Sequence, residues 1–268
     1  MLINYLDIEK KAAEIRQSYR VQTYGIKDIF NLITQRGIDL IRYTFGKDVL
    51  LGFSTVFEGK RVIVTNTSEI LSREVFTAAH ELGHIIYDFE DSNQNLKIDL
   101  NSDEIEDVSE TRAFYFANYL LMPEEQLREF IKYELRKQNE TLNALDIVRM
   151  QIEFNVSYTA MVKRLYDIRL ISIEQKNNLF NDRNATTSHV LFKMINVDDG
   201  LLNPTNIIKV PVKYIEYVTS NYNNDYIPFS SFQNALTLLG LDATLFRKDP
   251  VIEEDGTDLD DLFEEFDE

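Results

Sequence analysis

Apolar residues recur at three- and four-residue steps over most of this chain and alternate over a short early stretch, which sets out a sheet embedded among helices. Asp7 to about Ser18 and about Lys27 to Gln35 predict helices, the second burying Ile29, Phe30, Leu32 and Ile33 before Gly37 stops it. Ile38 to Tyr43, Val49 to Val56 and Arg61 to Thr65 predict strands, the last two joined as a hairpin through Glu58-Gly59. Helical rhythm returns from Ser72 to Tyr87, with Val75, Phe76, Ala79, Leu82 and Ile86 on the buried side and Ser68 or Ser72 available as N-cap. A polar connection, Glu90 to Ile105, leads to a helix from about Asp107 to Met122 that Pro123 ends. Glu124 to Gln138 and Asn143 to Phe154 predict further helices, Ser157 caps one running to about Arg169, and Ser172 with Gln175 forms a capping box for a short helix closing near Asn181. Beyond a polar junction come a strand at Val190 to Val197, a helix opening near Pro211 and another from about Ser230 to Leu239, capped by Gly240.

Two of these segments invite functional readings. Arg61 to Thr65 is a candidate edge strand whose backbone could align an extended peptide, with an ordinary interior strand as the competing reading. Asn155-Val156-Ser157, between two helices, has the look of a helix-turn-helix, but its candidate recognition face offers only Lys163, Arg164 and Arg169, so a packed helical hairpin is the favoured reading.

Chemistry concentrates in the Ser72–Tyr87 helix. The chain has three histidines, and two of them fall in His80-Glu81-Leu82-Gly83-His84. At i and i+4 two imidazoles share a helix face about 5–6 Å apart and can grip one metal ion, while Glu81 stands beside the first ligand as a candidate general base. Zinc in hydrolytic sites takes three protein ligands and a water, so a third ligand is needed. The following helix offers Glu106, Asp107 and Glu110; Glu110 fits best, because it continues the stripe of Ala113, Ala117 and Leu120 or Leu121. Ala113 and Ala117 permit close helix approach, with Gly83 as a possible matching gap. A metzincin site is excluded, since Tyr87 and Glu90 occupy the positions where it needs glycine and histidine. His189, alone in a polar junction, receives no role. Tyr87, Tyr115, Tyr119 and Arg112 are candidates for stabilising an oxyanion, with nothing to choose among them.

Composition narrows the class further. The formal charge is −17, but residues 251–268 hold ten acids and no Lys or Arg, leaving 35 acids against 28 bases, or −7, for the rest. An acidic body disfavours direct nucleic-acid binding and suits a basic protein partner. With no cysteine, any zinc must be held by His, Asp or Glu. Charges interrupt the apolar residues of Met1 to Arg20, and no run of apolar residues is long enough to span a bilayer, so a cytoplasmic location is expected.

Phe76-Thr77-Ala78-Ala79-His80-Glu81-Leu82-Gly83-His84, followed by Glu110-x-x-Ala113-x-x-Phe116-Ala117-x-x-Leu120-Leu121-Met122-Pro123, resembles the ImmA/IrrE-type metallo-endopeptidases. The likeness reaches upstream through Gly52-Phe53-Ser54 and Val62-Ile63-Val64-Thr65-Asn66, and downstream to about residue 170. It implies zinc held by His80, His84 and Glu110, with Glu81 as the base. It also implies an α+β fold with a zincin-like core, a small mixed sheet plus the H-E-x-x-H helix and a ligand helix, followed by a helical segment and a small C-terminal region. The sequence departs from the family pattern at Arg112, where an acid is common, and at Phe114, where Asn or Asp is common. The expected organisation is a peptidase domain over 1–182, an accessory region over 183–252 and an acidic, disordered tail over 253–268. The expected activity is cleavage of a protein, namely a helix-turn-helix repressor controlling a mobile element, prophage or stress regulon. The rival is a non-cleaving antirepressor or toxin–antitoxin component that uses the same fold to bind its partner.

Overall fold

Helix α1 (Tyr5–Ser18) is opened by Asn4, whose side chain accepts from the Asp7 amide, and it buries Ile8, Ala12 and Ile15. Helix α2 (Ile29–Gln35) is capped by Asp28 and buries Ile29, Leu32 and Ile33. Strands β1 (Asp39–Tyr43), β2 (Gly52–Phe57) and β3 (Lys60–Asn66) follow, then helix α3 (Leu71–Tyr87), a short strand β4 (Leu96–Asp99) and helix α4 (Val108–Leu121). The computed structural model describes residues 3–57, 59–89, 96–99, 108–138 and 141–246. Glu58 of the expected hairpin turn, most of the Glu90–Ile105 connection and the acidic tail lie outside them.

The result is a mixed α+β fold with a four-stranded sheet in the order β1-β3-β2-β4. β1 runs parallel to β3, which is antiparallel to β2, and β2 is antiparallel to β4. Strand β3 is therefore interior, and the expectation that Arg61 to Thr65 forms an edge is corrected: both of its sides are paired, and its burial rises to completeness toward Asn66. β4 was not expected: its Leu96-Lys97-Ile98-Asp99 alternates, but over only four residues inside a polar connection, and pairing with β2, Gly52 opposite Asp99, specifies it.

The outer side of β1 is covered by residues 203–209. Arg42 and Lys209 exchange backbone hydrogen bonds of 2.8 and 2.9 Å, and the Asn206 amide donates to Thr67 O. The helices beyond α4 are α5 (Glu124–Glu129), which widens into a π-helical turn at Phe130–Leu135, then α6 (Ala144–Phe154) and α7 (Tyr158–Asp167). Asn155 in the left-handed region makes the turn between α6 and α7, and α7 buries Tyr158, Met161, Val162, Arg164 and Leu165. Of the three bases on the candidate recognition face, Arg164 is buried and its guanidinium donates to Met122 O just past α4, while Lys163 and Arg169 remain exposed.

Helix α8 (Ile173–Ala185) is followed by α9 (Ser188–Met194), where a strand was expected. Leu191 and Phe192 are adjacent and both buried, which a helix turned to the core allows and a one-sided strand does not. Leu191 and Phe192 join the main core, and the compact units divide at residues 211 and 212. Residues 183–211, grouped with the accessory region on sequence, pack with the first unit. The second unit contains α10 (Val212–Asn223) and α11 (Phe229–Thr237), built around Tyr222, Phe232, Leu236 and Ala243. No helix among the described residues is long and apolar enough to cross a membrane.

Candidate metal centre

Helix α3 begins without a side-chain cap. Ile70 holds the N-cap position, and neither Ser68 nor Ser72 fills the expected role. An acceptor arrives instead from far along the chain, with the Leu71 amide donating to Asn203 O at 3.0 Å. One turn in, Glu74 is fully buried and takes two 2.7 Å bonds from the Arg42 guanidinium and one of 2.9 Å from the Thr65 hydroxyl. Arg42 also lies 3.7 Å from the centroid of the Phe30 ring. This buried pair ties the motif helix to β1 and β3, and leaving either charge alone would cost roughly 3–5 kcal/mol.

Two turns further, His80 and His84 face the first turn of α4. His80 Nε2 lies 3.1 Å from Glu110 Oε2, the two Nε2 atoms are 3.1 Å apart, and His84 Nε2 is 3.3 Å from Glu110 Oε1. Donors placed about 2.0–2.1 Å from zinc at tetrahedral angles are separated by about 3.3 Å, so the spacing fits that ion. The donor chemistry fits as well. His84 Nδ1 is 2.5 Å from the Asp88 carboxylate, which can only accept, so the ring carries its proton there and a neutral His84 directs the Nε2 lone pair inward. Facing nitrogens with a carboxylate beside them make a place for a cation. Both histidines are buried, whereas Glu110 is about one-third exposed and opens the site to solvent.

The electrostatics without metal express the same convergence. Burial alone would lower the pKa of His84, but hydrogen bonds to Asp88 and Glu110 outweigh it and push it up to about 9. Hydrogen bonds from His80 and His84 hold the Glu110 carboxyl well below the usual carboxylate range. Glu81, the next residue after His80, is buried beneath β2. A Cβ at Gly52 would sit 2.7 Å from both Thr77 Cγ2 and Val64 O and 3.7 Å from Glu81 Cγ, so only glycine lets the strand pass this close.

Helix α4 meets α3 through the small residues singled out in the sequence. A Cβ on Gly83 would approach Ala113 Cα to 3.0 Å and Phe116 Cδ1 to 3.1 Å. Phe114 supports the same contact, its ring packing 5.7 Å from that of Phe76. Arg112 pairs with Asp88. Sequence reasoning missed Asp88 and Ser109. Asp88 could have been suspected from its position four residues after His84 on one helix face.

The remaining candidates make contacts other than with the three converging ligands, or lie outside the described residues. His189 pairs with Asp199 on the surface, while Glu106 and Asp107 lie outside the described residues. Tyr115 packs edge-on against Tyr5, Tyr119 lies under Arg164, and the Tyr87 ring packs between Phe116 and Arg112. A separate surface cleft is lined by Glu9, Arg16, Tyr119 and Glu124, but Arg16 is spent on the carbonyls of Leu120 and Tyr24 and Glu124 on Arg128.

Among the described residues, His80, His84 and Glu110 are the group of metal-binding side chains whose ligand atoms converge. A family model described as Peptidase_M78, IrrE N-terminal-like domain, matches residues 22–166 and so takes in α2 to α6, most of α7 and the whole centre. No curated protein is similar enough to the chain to match it.

Proposed function

The chain belongs to the Peptidase_M78 family, with its IrrE N-terminal-like domain, and on that premise we propose that it is a zinc-dependent endopeptidase with a zincin-like core. The observation that carries the reading is the convergence of His80 and His84 from α3 with Glu110 from α4 at separations of 3.1–3.3 Å. Bound there, zinc supplies Lewis acidity that polarises a peptide carbonyl and makes a water acidic enough to lose its proton near neutral pH. His80 and His84 supply nitrogen donors, and Glu110 supplies the carboxylate that offsets the ion's charge. Glu81 accepts the proton released when water attacks the carbonyl carbon, then delivers it to the departing amine as the C–N bond breaks.

The substrate we propose is a protein, specifically a helix-turn-helix repressor whose cleavage relieves repression of a mobile element, prophage or stress regulon. The resemblance of the paired motifs to ImmA/IrrE-type endopeptidases supports this choice. The acidic balance of the chain outside residues 251–268, 35 acids against 28 bases, also supports a protein substrate over nucleic acid.

The test replaces Glu81 by Gln, which keeps the side chain's size and the ligands but cannot carry the proton. Wild type and Glu81→Gln are coexpressed with a candidate helix-turn-helix repressor, and the regulator is followed by blot. Cleavage should fall at least about a hundredfold with zinc content unchanged. Relief of repression by both proteins with the regulator intact would replace the peptidase by a binding antirepressor.

A further inference from the structure

Asp88 closes α3 as its C-cap, and its carboxylate is almost entirely buried. One oxygen, Oδ2, takes His84 Nδ1 at 2.5 Å and the Ser109 hydroxyl at 2.5 Å; the other, Oδ1, takes the Arg112 guanidinium. Ser109 and Arg112 stand on α4 immediately before and two residues after Glu110. A single carboxylate therefore bonds the back of one candidate ligand and both flanks of another. Arg112 is held over the Tyr87 ring, 5.1 Å from its centroid, which fixes the guanidinium on the α3 side. Where the family pattern commonly has an acid, this chain places a base, and the base answers an acid on the opposite helix.

We infer that Asp88 is a positioning residue of the metal centre: it fixes His84 as an Nε2 ligand with Nδ1 protonated and, through Ser109 and Arg112, sets the first turn of α4 so that Glu110 meets the same ion. This rests on the metal-binding reading above. The physical basis is general. A ligating imidazole whose far nitrogen donates to a carboxylate is locked in tautomer and ring orientation and becomes a stronger donor, and loss of such a partner typically costs about 10–100-fold in metal affinity. The addition here is that the partner also holds the second ligand helix, so one substitution should disturb two of the three ligands.

Three proteins test this: wild type, Asp88→Asn, and Asp88→Asn with Arg112→Gln, which leaves no unpaired charge behind. Zinc affinity is measured by competition with a chromophoric chelator, thermal unfolding on the metal-free proteins, and the His84 tautomer by ring nitrogen–proton correlation spectroscopy of the zinc-loaded forms. Wild type should bind one zinc with His84 protonated at Nδ1. Both variants should bind about 10–100-fold more weakly, with their metal-free unfolding within a few degrees of wild type and the His84 Nδ1 proton exchanging freely. Unchanged affinity and an unchanged tautomer in the variants would overturn the positioning role while leaving the metal site standing. Loss of the metal-free fold in both variants would make Asp88 a structural residue and overturn it too, and absence of zinc from wild type would overturn both readings.

Discussion

At His84 the two nitrogens of one ring face different worlds, Nδ1 a buried carboxylate and Nε2 the two other candidate ligands. Removing the ring should therefore do more than subtract one donor, since Asp88 loses a partner as well. We expect His84→Ala and Glu110→Ala each to fall below a tenth of an equivalent of retained zinc after gel filtration at neutral pH, against about one for wild type, as metal analysis would read. Near-stoichiometric zinc in both variants would remove these residues from the ligand set. The pairing of His80 with His84 was legible because their i, i+4 spacing on one helix face is itself the geometry of the site. Glu110 was legible through the stripe of small residues it continues. Asp88 was not, since an acid at i+4 is a common surface feature and only the fold buries this one. The N-cap of α3 was misread for the same kind of reason: its acceptor is the backbone of Asn203, which no local pattern announces.

Elements meet in the centre through the α3–α4 contact, where Gly83 lies against Ala113. Gly83→Ala should gain about 1 kcal/mol of helix propensity and lose about 1–3 kcal/mol to overpacking, so its net effect on unfolding is small or modestly destabilising. Its effect on zinc should be larger, because parting the helices moves Glu110 away from both histidines. A chelator competition showing weakened zinc alongside nearly unchanged thermal unfolding would bear this out; unaltered affinity would mean that α4 can shift without carrying Glu110 with it. Long helices with strong periodicity, α3 and α4 above all, matched their expected spans within a few residues. Short elements fared worse. β4 is specified by its partner strand, and α9 was mistaken for a strand because its apolar run, Val190 to Phe192, has no period of its own.

On the scale of the whole molecule, the residues matched by the family model end at 166, yet the unit that carries the centre runs to 211. Leu191 and Phe192 sit in its core, Asn203 receives the first amide of α3, and residues 203–209 seal the β1 edge. Burial of those two side chains alone is worth about 3–6 kcal/mol, a large share of the roughly 5–15 kcal/mol typical of a folded domain. A chain cut after residue 182 should be poorly soluble and bind zinc weakly, whereas one cut after 211 should unfold near the full-length protein, as thermal melts of the three would show. Equal stability of the shorter piece would mean that 183–211 is an appendage. Their role was illegible in the sequence because a lone extended segment finds its meaning only against the strand it covers.

The contact at Gly83 and Ala113 leaves no room for a side chain between the helices, since a Cβ on Gly83 would come within 3.0 Å of Ala113 Cα. Helices this close place the three candidate donors 3.1–3.3 Å apart, about the spacing a tetrahedral ion of zinc's radius requires. Calcium, which needs six to eight oxygens at about 2.3–2.6 Å, and magnesium, which demands a near-octahedral shell, find neither the number nor the kind of donor here. On the proposed zinc reading, a thousandfold excess of either ion should leave bound zinc in place while cobalt, similar in size and taste for nitrogen, exchanges into the site.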